Sequence, residues 1–247
     1  MTTPALLGIS HGTASPDGQR AVRALVDAVA AELPEVTVRL GHVDVQQPDV
    51  DASIATIPPG ESIVLVPLLL SAGYHVHVDI REATAAHPHV QIAGALGPDG
   101  RLVEVLVRRL AQAGLSDAGL ADPDAGPDAL VLAVAGSSDR RAVDDCLRMG
   151  ELLATRLGRP VTVGFLSAAE PRLDAAVAAA RADAPGRRVV VSSYLLAPGY
   201  FQDLAAAAGA DVLTEPLLAG DAPAPELVEV VIDRYRDCLD APVASSL

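Results

Sequence analysis

The sequence predicts an α/β protein made of two similar domains in tandem, each with a roughly four-stranded parallel sheet flanked by helices. Three observations lead to this prediction. Short apolar segments alternate with helical patterns along the chain, which is typical of βαβ units with right-handed crossovers. The run 64–70 is apolar throughout, as expected for a parallel strand buried on both faces. The same order of segments occurs twice, once in each half of the chain.

The first half is expected to contain four strands separated by helices. The strands are predicted at 5–10, 36–45, 62–70 and 90–96. The helices are predicted from Ser15 or Asp17 to about Leu33, after Pro48 as far as Ile57, at 80–86 and at 98–114. The first helix is the clearest, because a capping side chain precedes apolar residues that repeat at helical spacing.

A segment rich in Asp, Ala, Gly and Pro separates the two halves. This segment, 116–128, is predicted to be a linker between an N-terminal domain at 1–115 and a C-terminal domain at 129–247. In the second domain the strands are predicted at 129–135, 160–166, 187–196 and 211–214, and the helices at 139–157, 171–182 and 226–239. The alternation of strands and helices therefore restarts after the linker.

The two halves align with one another at three strand ends. The aligned segments are 10–12 with 134–136, 41–48 with 164–171, and 71–75 with 197–201. Gly after strand one, Pro after strand two and Gly-Tyr after strand three are kept in both copies, and we interpret them as structural. Side chains that can bind metals are not kept: His11 aligns with Ala135, Asp44 with Ser167 and His75 with Phe201. Those three side chains are therefore dispensable for the fold.

His11, Asp44 and His75 are expected to lie close together and to form a metal site. Each follows the carboxyl end of a predicted parallel strand, and these ends open at one edge of the sheet, where ligands bind in α/β proteins. Two imidazoles and a carboxylate suit Fe²⁺, Co²⁺, Ni²⁺ or Zn²⁺ and leave coordination positions open. An imidazole can also accept a proton near neutral pH. A strand-end Asp can equally cap the next helix, so Asp44 also has a structural interpretation.

The other histidines have alternative interpretations. His77 lies next to the predicted site and is a candidate for a supporting or substrate contact. His42 precedes Asp44 by two residues, on the same side of the strand, and is a candidate for an additional ligand, although a hydrogen-bonded structural role is favoured. His87 and His89 flank Pro88 in a predicted loop and are expected to be solvated.

Composition and charge exclude several classes of function. The chain has 247 residues, 50% of them hydrophobic, and a net charge of −14, which describes a globular protein and argues against partners such as nucleic acids or anionic membranes. No signal-peptide pattern or membrane-spanning run occurs, and Cys146 and Cys238 are expected to be reduced thiols, so a cytoplasmic location is predicted. Gly8 and Gly12 do not complete a dinucleotide-binding fingerprint and no P-loop occurs, so no organic cofactor is predicted.

These motifs resemble those of the class II chelatases of the sirohydrochlorin branch, the CbiX/SirB type. The resemblance rests on Ser10-His11-Gly12, on the second strand leading to Gln47-Pro48, on the segment 66–75 and on Asp79-Ile80. It covers essentially the whole chain, because the long form of the family is a tandem duplication. It implies two chelatase-like, Rossmann-like domains with the active site in the cleft between them.

The resemblance also implies a reaction. This is the insertion of Fe²⁺ or Co²⁺, with Ni²⁺ as a further candidate, into sirohydrochlorin, which gives siroheme or cobalt-sirohydrochlorin on the cobalamin route. His11 and His75 take the positions of the two family histidines, so we expect them to be catalytic and, with Asp44, to bind the metal. The family usually has Glu at the position of Asp44 and often Pro at that of Arg81, and this chain departs from it at both.

Residues around this site are expected to contact the tetrapyrrole, namely Ser10, Gly12, His77 and Arg81. Because sirohydrochlorin is a polycarboxylate, arginines must offset the negative charge of the protein, and Arg20 and Arg140 are further candidates. The tandem repeat predicts a monomer. Two alternatives remain open: a non-enzymatic divalent-metal carrier on the same fold, and an unrelated α/β protein that binds a sugar or nucleotide. A cleft between the halves, which a metal carrier does not need, favours the chelatase.

Overall fold

The computed structural model of the chain confirms an α/β fold with two parallel sheets. It describes residues 3–71, 74–115, 128–220 and 222–240, with the backbone alone for 74–78. The strands of the first sheet are β1 (Ala5–Ser10), β2 (Val38–His42), β3 (Ile63–Pro67) and β4 (Val90–Ile92), in the spatial order β2-β1-β3-β4. The helices of this half are α1 (Pro16–Glu32), α2 (Val50–Ile54), α3 (Tyr74–Thr84) and α4 (Gly100–Gln112).

The second half repeats this arrangement. Its strands are β5 (Ala129–Val134), β6 (Thr162–Phe165), β7 (Val189–Tyr194) and β8 (Val212–Leu213), in the order β6-β5-β7-β8. Its helices are α5 (Arg140–Leu157), α6 (Leu173–Asp183), α7 (Tyr200–Ala206) and α8 (Pro225–Asp240). Strands β1 and β7 are buried along their whole length, as expected for sheets with helices on both faces.

Two helices differ from the sequence prediction. Helix α3 begins at Tyr74 rather than at Ile80, so the backbone of His75 and His77 is helical. The segment 74–78 alternates apolar and polar residues with the period of a strand, and so short a segment does not reveal a helical period. The sequence predicts no helix at α7, because the alanines there form no distinct apolar stripe.

The strands also end earlier than predicted, β2 at His42 rather than Val45 and β3 at Pro67 rather than Leu70. The backbone conformation explains why β2 ends early. Val45 has a φ of 65°, which turns the chain out of the sheet.

The turns after the first two strands are the same in both halves. Gly12 and Gly136 have φ values of 95° and 88°, in the left-handed region that glycine adopts readily. A Cβ added to either glycine would overlap a backbone carbonyl oxygen, that of Asp44 in the first half and that of Ser167 in the second. Both turns therefore require glycine, as the alignment of the two copies predicts.

The last helix of each half packs against the other half. Helix α4 contacts α5 and β7, whereas α8 contacts α1 and β3. Tyr235 on α8 donates a hydrogen bond to Pro4 O at 2.6 Å, and Tyr194 on β7 donates to Leu70 O at 3.0 Å. One buried apolar cluster includes residues of both halves. The two sheets are therefore held together by a shared core.

Three further sequence predictions concern the chain outside the sheets. The predicted linker at 116–128 lies outside the described residues except for Asp128. In the part of the chain that the structure describes, no helix is long and apolar enough to cross a membrane. Cys146 and Cys238 are free thiols, as predicted, and Cys146 is buried.

Asp99 connects the last helices of the two halves. Its carboxylate caps α4 and accepts hydrogen bonds from Arg101 at 2.9 Å and from Arg234 of α8 at 3.1 Å. Burial opposes the ionisation of Asp99, but the hydrogen bonds from Arg101 and the charges of Arg101 and Arg234 outweigh it and lower the pKa of Asp99 below its ordinary value of 3.8.

We expect the Asp99→Asn variant to be less stable than the wild type at pH 7 by about 1–3 kcal/mol. A carboxyl group whose pKa is lower in the folded state stabilises the fold above its unfolded pKa and stops doing so as the pH falls through its folded pKa. The difference between the proteins should therefore shrink below about pH 4. Urea unfolding at a series of pH values measures it, with Asp237→Asn, a 74% exposed carboxylate on α8, as the control. A difference that stays constant down to about pH 2 would contradict this role.

Candidate metal centre

His11 and Asp44 lie next to each other at the carboxyl edge of the first sheet. His11 follows β1, and Asp44 follows β2, which pairs with β1 in parallel. The pairing continues beyond the strands, because Val43 N donates to Ser10 O at 2.9 Å and Asp44 N donates to His11 O at 3.0 Å. Both residues are exposed. An imidazole and a carboxylate are thus presented to solvent from adjacent backbone positions.

A hydrogen-bonded turn fixes the position of Asp44. Its Oδ1 accepts from Val45 N at 2.7 Å, and its carbonyl oxygen accepts from Gln46 N at 2.7 Å. The Gln46 side chain accepts in turn from Thr13 N at 2.9 Å, in the loop that follows β1. The two loops that carry His11 and Asp44 are therefore bonded to each other through backbone and side chain.

The cap of the next helix is Asp49, whose side chain accepts from Ala52 N. The structural interpretation of Asp44 as that cap is therefore wrong. Its carboxylate belongs to the exposed turn instead.

His75 and His77 lie at the start of α3, which follows β3. Strand β3 is the other neighbour of β1 in the sheet. The side chains of His75 and His77 lie outside the described residues. Where side chains are described, no group of three or more His, Cys, Asp or Glu is arranged to hold a metal ion. The described part of the predicted site is therefore the pair His11 and Asp44.

His42 and Ser10 form a buried pair beneath this edge. His42 is 3% exposed, Ser10 is 4% exposed, and Ser10 Oγ lies 2.8 Å from His42 Nδ1. Burial, helped by the charge of Arg23, lowers the pKa of His42 below its ordinary value of 6.5. A hydrogen-bonded structural role for His42 is thus favoured over that of an additional metal ligand. Ser10 is enclosed with it, although the sequence predicts that Ser10 contacts the substrate.

We expect His42 to make the stability of the protein depend on pH. Because its pKa is lower in the folded state, its contribution is complete above the unfolded value of 6.5 and is lost as the pH falls through the folded pKa. In the His42→Gln variant, whose amide can still bond to Ser10, the decline in stability below pH 6.5 should be smaller than in the wild type. Urea unfolding across this range measures the effect. The exposed His89→Gln variant is the control, and equal declines in the wild type and His42→Gln would contradict the assignment.

The remaining predicted substrate contacts differ in their surroundings. Gly12 forms the turn against Asp44, and Arg81 is exposed on α3. Arg20 is paired with Asp17 on the surface of α1. Arg140 is exposed at the first residue of α5.

His87 and His89 lie apart from the strand ends, in the connection between α3 and β4. His87 Nε2 is 3.1 Å from Asp51 Oδ1, and the rings of the two histidines meet edge to face at 5.8 Å. His89 is exposed and His87 partly so. The prediction that His87 and His89 are surface residues is therefore confirmed.

The corresponding edge of the second half carries different side chains. Ser167 N donates to Ala135 O at 2.9 Å, which reproduces the bond between Asp44 and His11. The Ser167 hydroxyl also donates to that carbonyl, at 2.9 Å, so it is turned back onto the backbone. Phe201, aligned with His75, packs against a buried apolar cluster. The same backbone therefore carries side chains that do not bind metals at these aligned positions.

The loop after β7 lies directly against the loop after β1 and the first turn of α1. A Cβ on Gly18 would overlap the carbonyl oxygen of Pro198, and a Cβ on Gly199 would lie 3.0 Å from Thr13 Oγ1. The loop after β7 thus approaches the loop after β1 at van der Waals distance. The strand-end regions of the two halves are neighbours in space.

Two exposed apolar residues lie next to these loops, and the sequence does not predict a functional role for either. Val45 is 59% exposed and Tyr200 is 70% exposed. Burial does not support the interpretation of Tyr200 as a residue kept for the fold, because a side chain so exposed contributes little to packing. Its retention in both copies was the available signal, and only the structure shows that burial does not explain it.

A polar cavity of about 340 Å³ lies elsewhere, among α1, α4 and α8. It is lined by Glu32, Arg101, Glu229, Ile232, Asp233 and Arg236. These residues belong to helices rather than to the strand-end loops. We therefore do not associate this cavity with the His11 and Asp44 pair.

The fold and the edge of its first sheet define a class: tandem α/β proteins in which one of two similar halves presents an exposed imidazole and carboxylate at its sheet edge. The CbiX family model matches residues 5–113 and matches again at residues 129–238. The chain therefore belongs to the CbiX family, as a tandem repeat.

Individual relatives agree with this placement. A sirohydrochlorin cobaltochelatase from Sulfolobus acidocaldarius is 27% identical over 113 residues, which are 44% of this chain and 90% of that protein. SirB from Bacillus subtilis with Fe³⁺ is 20% identical, with a TM-score of 0.76 over 96% of each chain. SirB from Bacillus subtilis subspecies spizizenii in complex with cobalt is 19% identical, with a TM-score of 0.70 over 97% of each chain. These structures share the two-domain fold.

Proposed function

We propose that this chain is a sirohydrochlorin chelatase that inserts Fe²⁺ or Co²⁺ into the macrocycle, giving siroheme or cobalt-sirohydrochlorin. The observation that carries the proposal is the exposed pair His11 and Asp44, joined through their backbones at the sheet edge. The aligned residues of the second half, Ala135 and Ser167, provide neither an imidazole nor a carboxylate. The Ser167 hydroxyl is bonded to the Ala135 carbonyl oxygen. Membership of the CbiX family and the names of the relatives support sirohydrochlorin as the substrate.

The metal substrate is held by His11, Asp44 and His75 in this proposal. Imidazole nitrogen and carboxylate oxygen together suit Fe²⁺ and Co²⁺, and also Ni²⁺. Because Asp44 Oδ1 accepts a hydrogen bond from Val45 N, we assign the metal to Oδ2. Three protein ligands leave coordination positions open, so the nitrogens of the macrocycle can bind the metal before it leaves the protein.

Insertion also requires that the protons of the pyrrole nitrogens leave as the metal enters. We assign their acceptance to His11 and His75, because an imidazole is an effective base near neutral pH and becomes available once it releases the metal. His11 is exposed, so a proton can pass from it to solvent. The reaction as proposed uses no organic cofactor.

The carboxylates of the tetrapyrrole need positive partners. Arg81 is exposed on α3, where its guanidinium can bind a carboxylate through two parallel hydrogen bonds. We also keep Gly12 and His77 as proposed substrate contacts. For Ser10 we propose an indirect role, holding the His42 ring beneath the site.

The two domains have different roles in this proposal. We propose that the domain at 1–115 carries the metal site, that the domain at 129–247 closes the cleft over the tetrapyrrole, and that the chain acts as a monomer in the cytoplasm. The shared core, and the packing of the last helix of each half against the other half, support a fixed arrangement of the two domains.

An anaerobic absorbance assay tests the proposed reaction. Sirohydrochlorin is mixed with Fe²⁺, Co²⁺ or Ni²⁺, and the loss of the metal-free bands is followed with and without protein. The protein should accelerate the change in proportion to its concentration, and competition between metals should identify the preferred one. No acceleration with any metal would contradict a chelatase. Metal binding without acceleration is the result expected of a non-enzymatic carrier, an alternative that the comparisons do not favour.

A further inference from the structure

Val45 is an exposed β-branched residue in a backbone conformation that β-branched residues avoid. Its φ of 65° lies in the left-handed region, where Gly and Asn are favoured. The turn itself does not require Val, because Ala168 has a φ of 55° at the aligned position of the second half. Nor does packing require it, since Val45 is 59% exposed. Strained residues of this kind are concentrated at functional sites.

Tyr200 is the second exposed apolar residue at this edge. It is 70% exposed, and its ring meets that of Phe201 edge to face at 5.8 Å. The second half has lost all the metal-binding side chains of the first, yet it keeps the tyrosine of the Gly-Tyr pair. Metal binding and packing both fail to explain why this side chain is present.

Thr13 lies next to a chain neighbour of each of the two residues. Its backbone N donates to the side chain of Gln46, which follows Val45 in the turn. On the other side, its hydroxyl lies near Gly199, the residue before Tyr200. The chain neighbours of Val45 in the first half and of Tyr200 in the second thus lie against the same loop, the one that carries His11.

We infer that Val45 and Tyr200 are apolar contacts for the tetrapyrrole, one supplied by each half of the protein, an inference that rests on the proposed function. The faces of the macrocycle are flat and apolar, whereas its carboxylates lie at the rim. A tyrosine ring can stack on such a face, and a branched aliphatic side chain can pack against it. Among the described residues, the large exposed apolar side chains are Val45, Leu147, Tyr200 and Leu239. Two of these lie at the strand-end loops.

The test measures binding of metal-free sirohydrochlorin and, separately, the Michaelis constants for sirohydrochlorin and for Co²⁺. The variants are Val45→Asn, which suits the left-handed backbone but is polar, and Tyr200→Ser. Each should weaken tetrapyrrole binding and raise the KM for sirohydrochlorin by about tenfold, with little change in the KM for Co²⁺. Tyr200→Phe should retain binding. The melting temperature of Val45→Asn should equal or exceed that of the wild type, because strain is relieved.

Two controls match the variants. Ala168→Asn makes the same exposed change in the aligned turn of the second half, and Leu239→Ser removes an exposed apolar side chain at the end of α8. Both should leave tetrapyrrole binding and KM unchanged. An effect of Ala168→Asn as large as that of Val45→Asn would overturn the inference.

The inference and the proposed function fail in different ways. If the wild type accelerates metal insertion while Val45→Asn and Tyr200→Ser bind sirohydrochlorin normally, the contacts are overturned and the function stands. If the wild type binds sirohydrochlorin through Val45 and Tyr200 but does not accelerate insertion, the function is overturned and the contacts are supported. If the variants alter only the oligomeric state, measured by sedimentation, the patch contacts a second copy of the chain and the inference is wrong.

Discussion

The His11→Ala variant is expected to insert metal at least about 100-fold more slowly than the wild type. It loses a proposed metal ligand that is also the proposed proton acceptor, and removal of a general base alone slows reactions by about 10²–10⁴-fold. Because His11 is exposed, the variant should unfold at nearly the same urea concentration as the wild type. The absorbance assay with saturating Co²⁺ and sirohydrochlorin gives the rates. We expect a similar loss for His75→Ala.

A matched control separates this effect from the general loss of a surface imidazole. His89 is exposed in the same half but lies in the connection before β4, so His89→Ala should keep the wild-type rate. A normal rate for His11→Ala would contradict the assignment of the metal site. A slow rate for His89→Ala would show that the assay responds to histidines in general.

The Gly12→Ala and Gly136→Ala variants are expected to lose similar stability but different amounts of activity. Each would place a Cβ against a carbonyl oxygen, of Asp44 or of Ser167, in a left-handed backbone conformation. Strain and overlap together should lower the free energy of unfolding by at least about 2 kcal/mol in both variants. Only Gly12→Ala moves the turn that presents Asp44, so only it should also lose metal affinity and rate. Urea unfolding and the absorbance assay measure the two effects.

Gly60→Ala isolates the contribution of backbone strain. Gly60 has a φ of 87°, close to that of Gly136, but a Cβ there would meet nothing within 4 Å. Its stability loss should be about 1 kcal/mol, smaller than that of the other two variants. Equal losses of metal affinity in Gly12→Ala and Gly136→Ala would contradict a site confined to the first half.

The sequence predicts the sheets well, because buried parallel strands have a distinctive composition. The runs that become β3 and β5 are continuous and apolar, those of β1 and β7 are interrupted only by serines, and the alignment of the halves gives the same strand order in both. The helical start at Tyr74 is not predictable in the same way. There the alternation of apolar residues with histidines imitates a strand, and the period of a helix emerges only over a longer segment.

The site is predicted in part, for reasons that differ between residues. The proximity of His11 and Asp44 follows from parallel pairing, because consecutive strand ends meet at one edge. The bond between His42 and Ser10 depends on which face of the strand is buried, and so it needs coordinates. The sequence does not predict a role for Val45, because the residue is unusual in its positive φ and not in its type.

The claim that one half of the duplicated fold carries the metal chemistry is tested most directly by titrating the metal substrate Co²⁺ into the intact protein and following its visible absorption. We predict that one Co²⁺ binds per chain, with bands typical of mixed nitrogen and oxygen ligands. The signal should disappear when His11 and His75 are both replaced by Ala. It should persist when Ser167 and Phe201, the second-half residues aligned with Asp44 and His75, are replaced by Ala and Leu. Two Co²⁺ per chain, or an unchanged signal without His11 and His75, would contradict the claim.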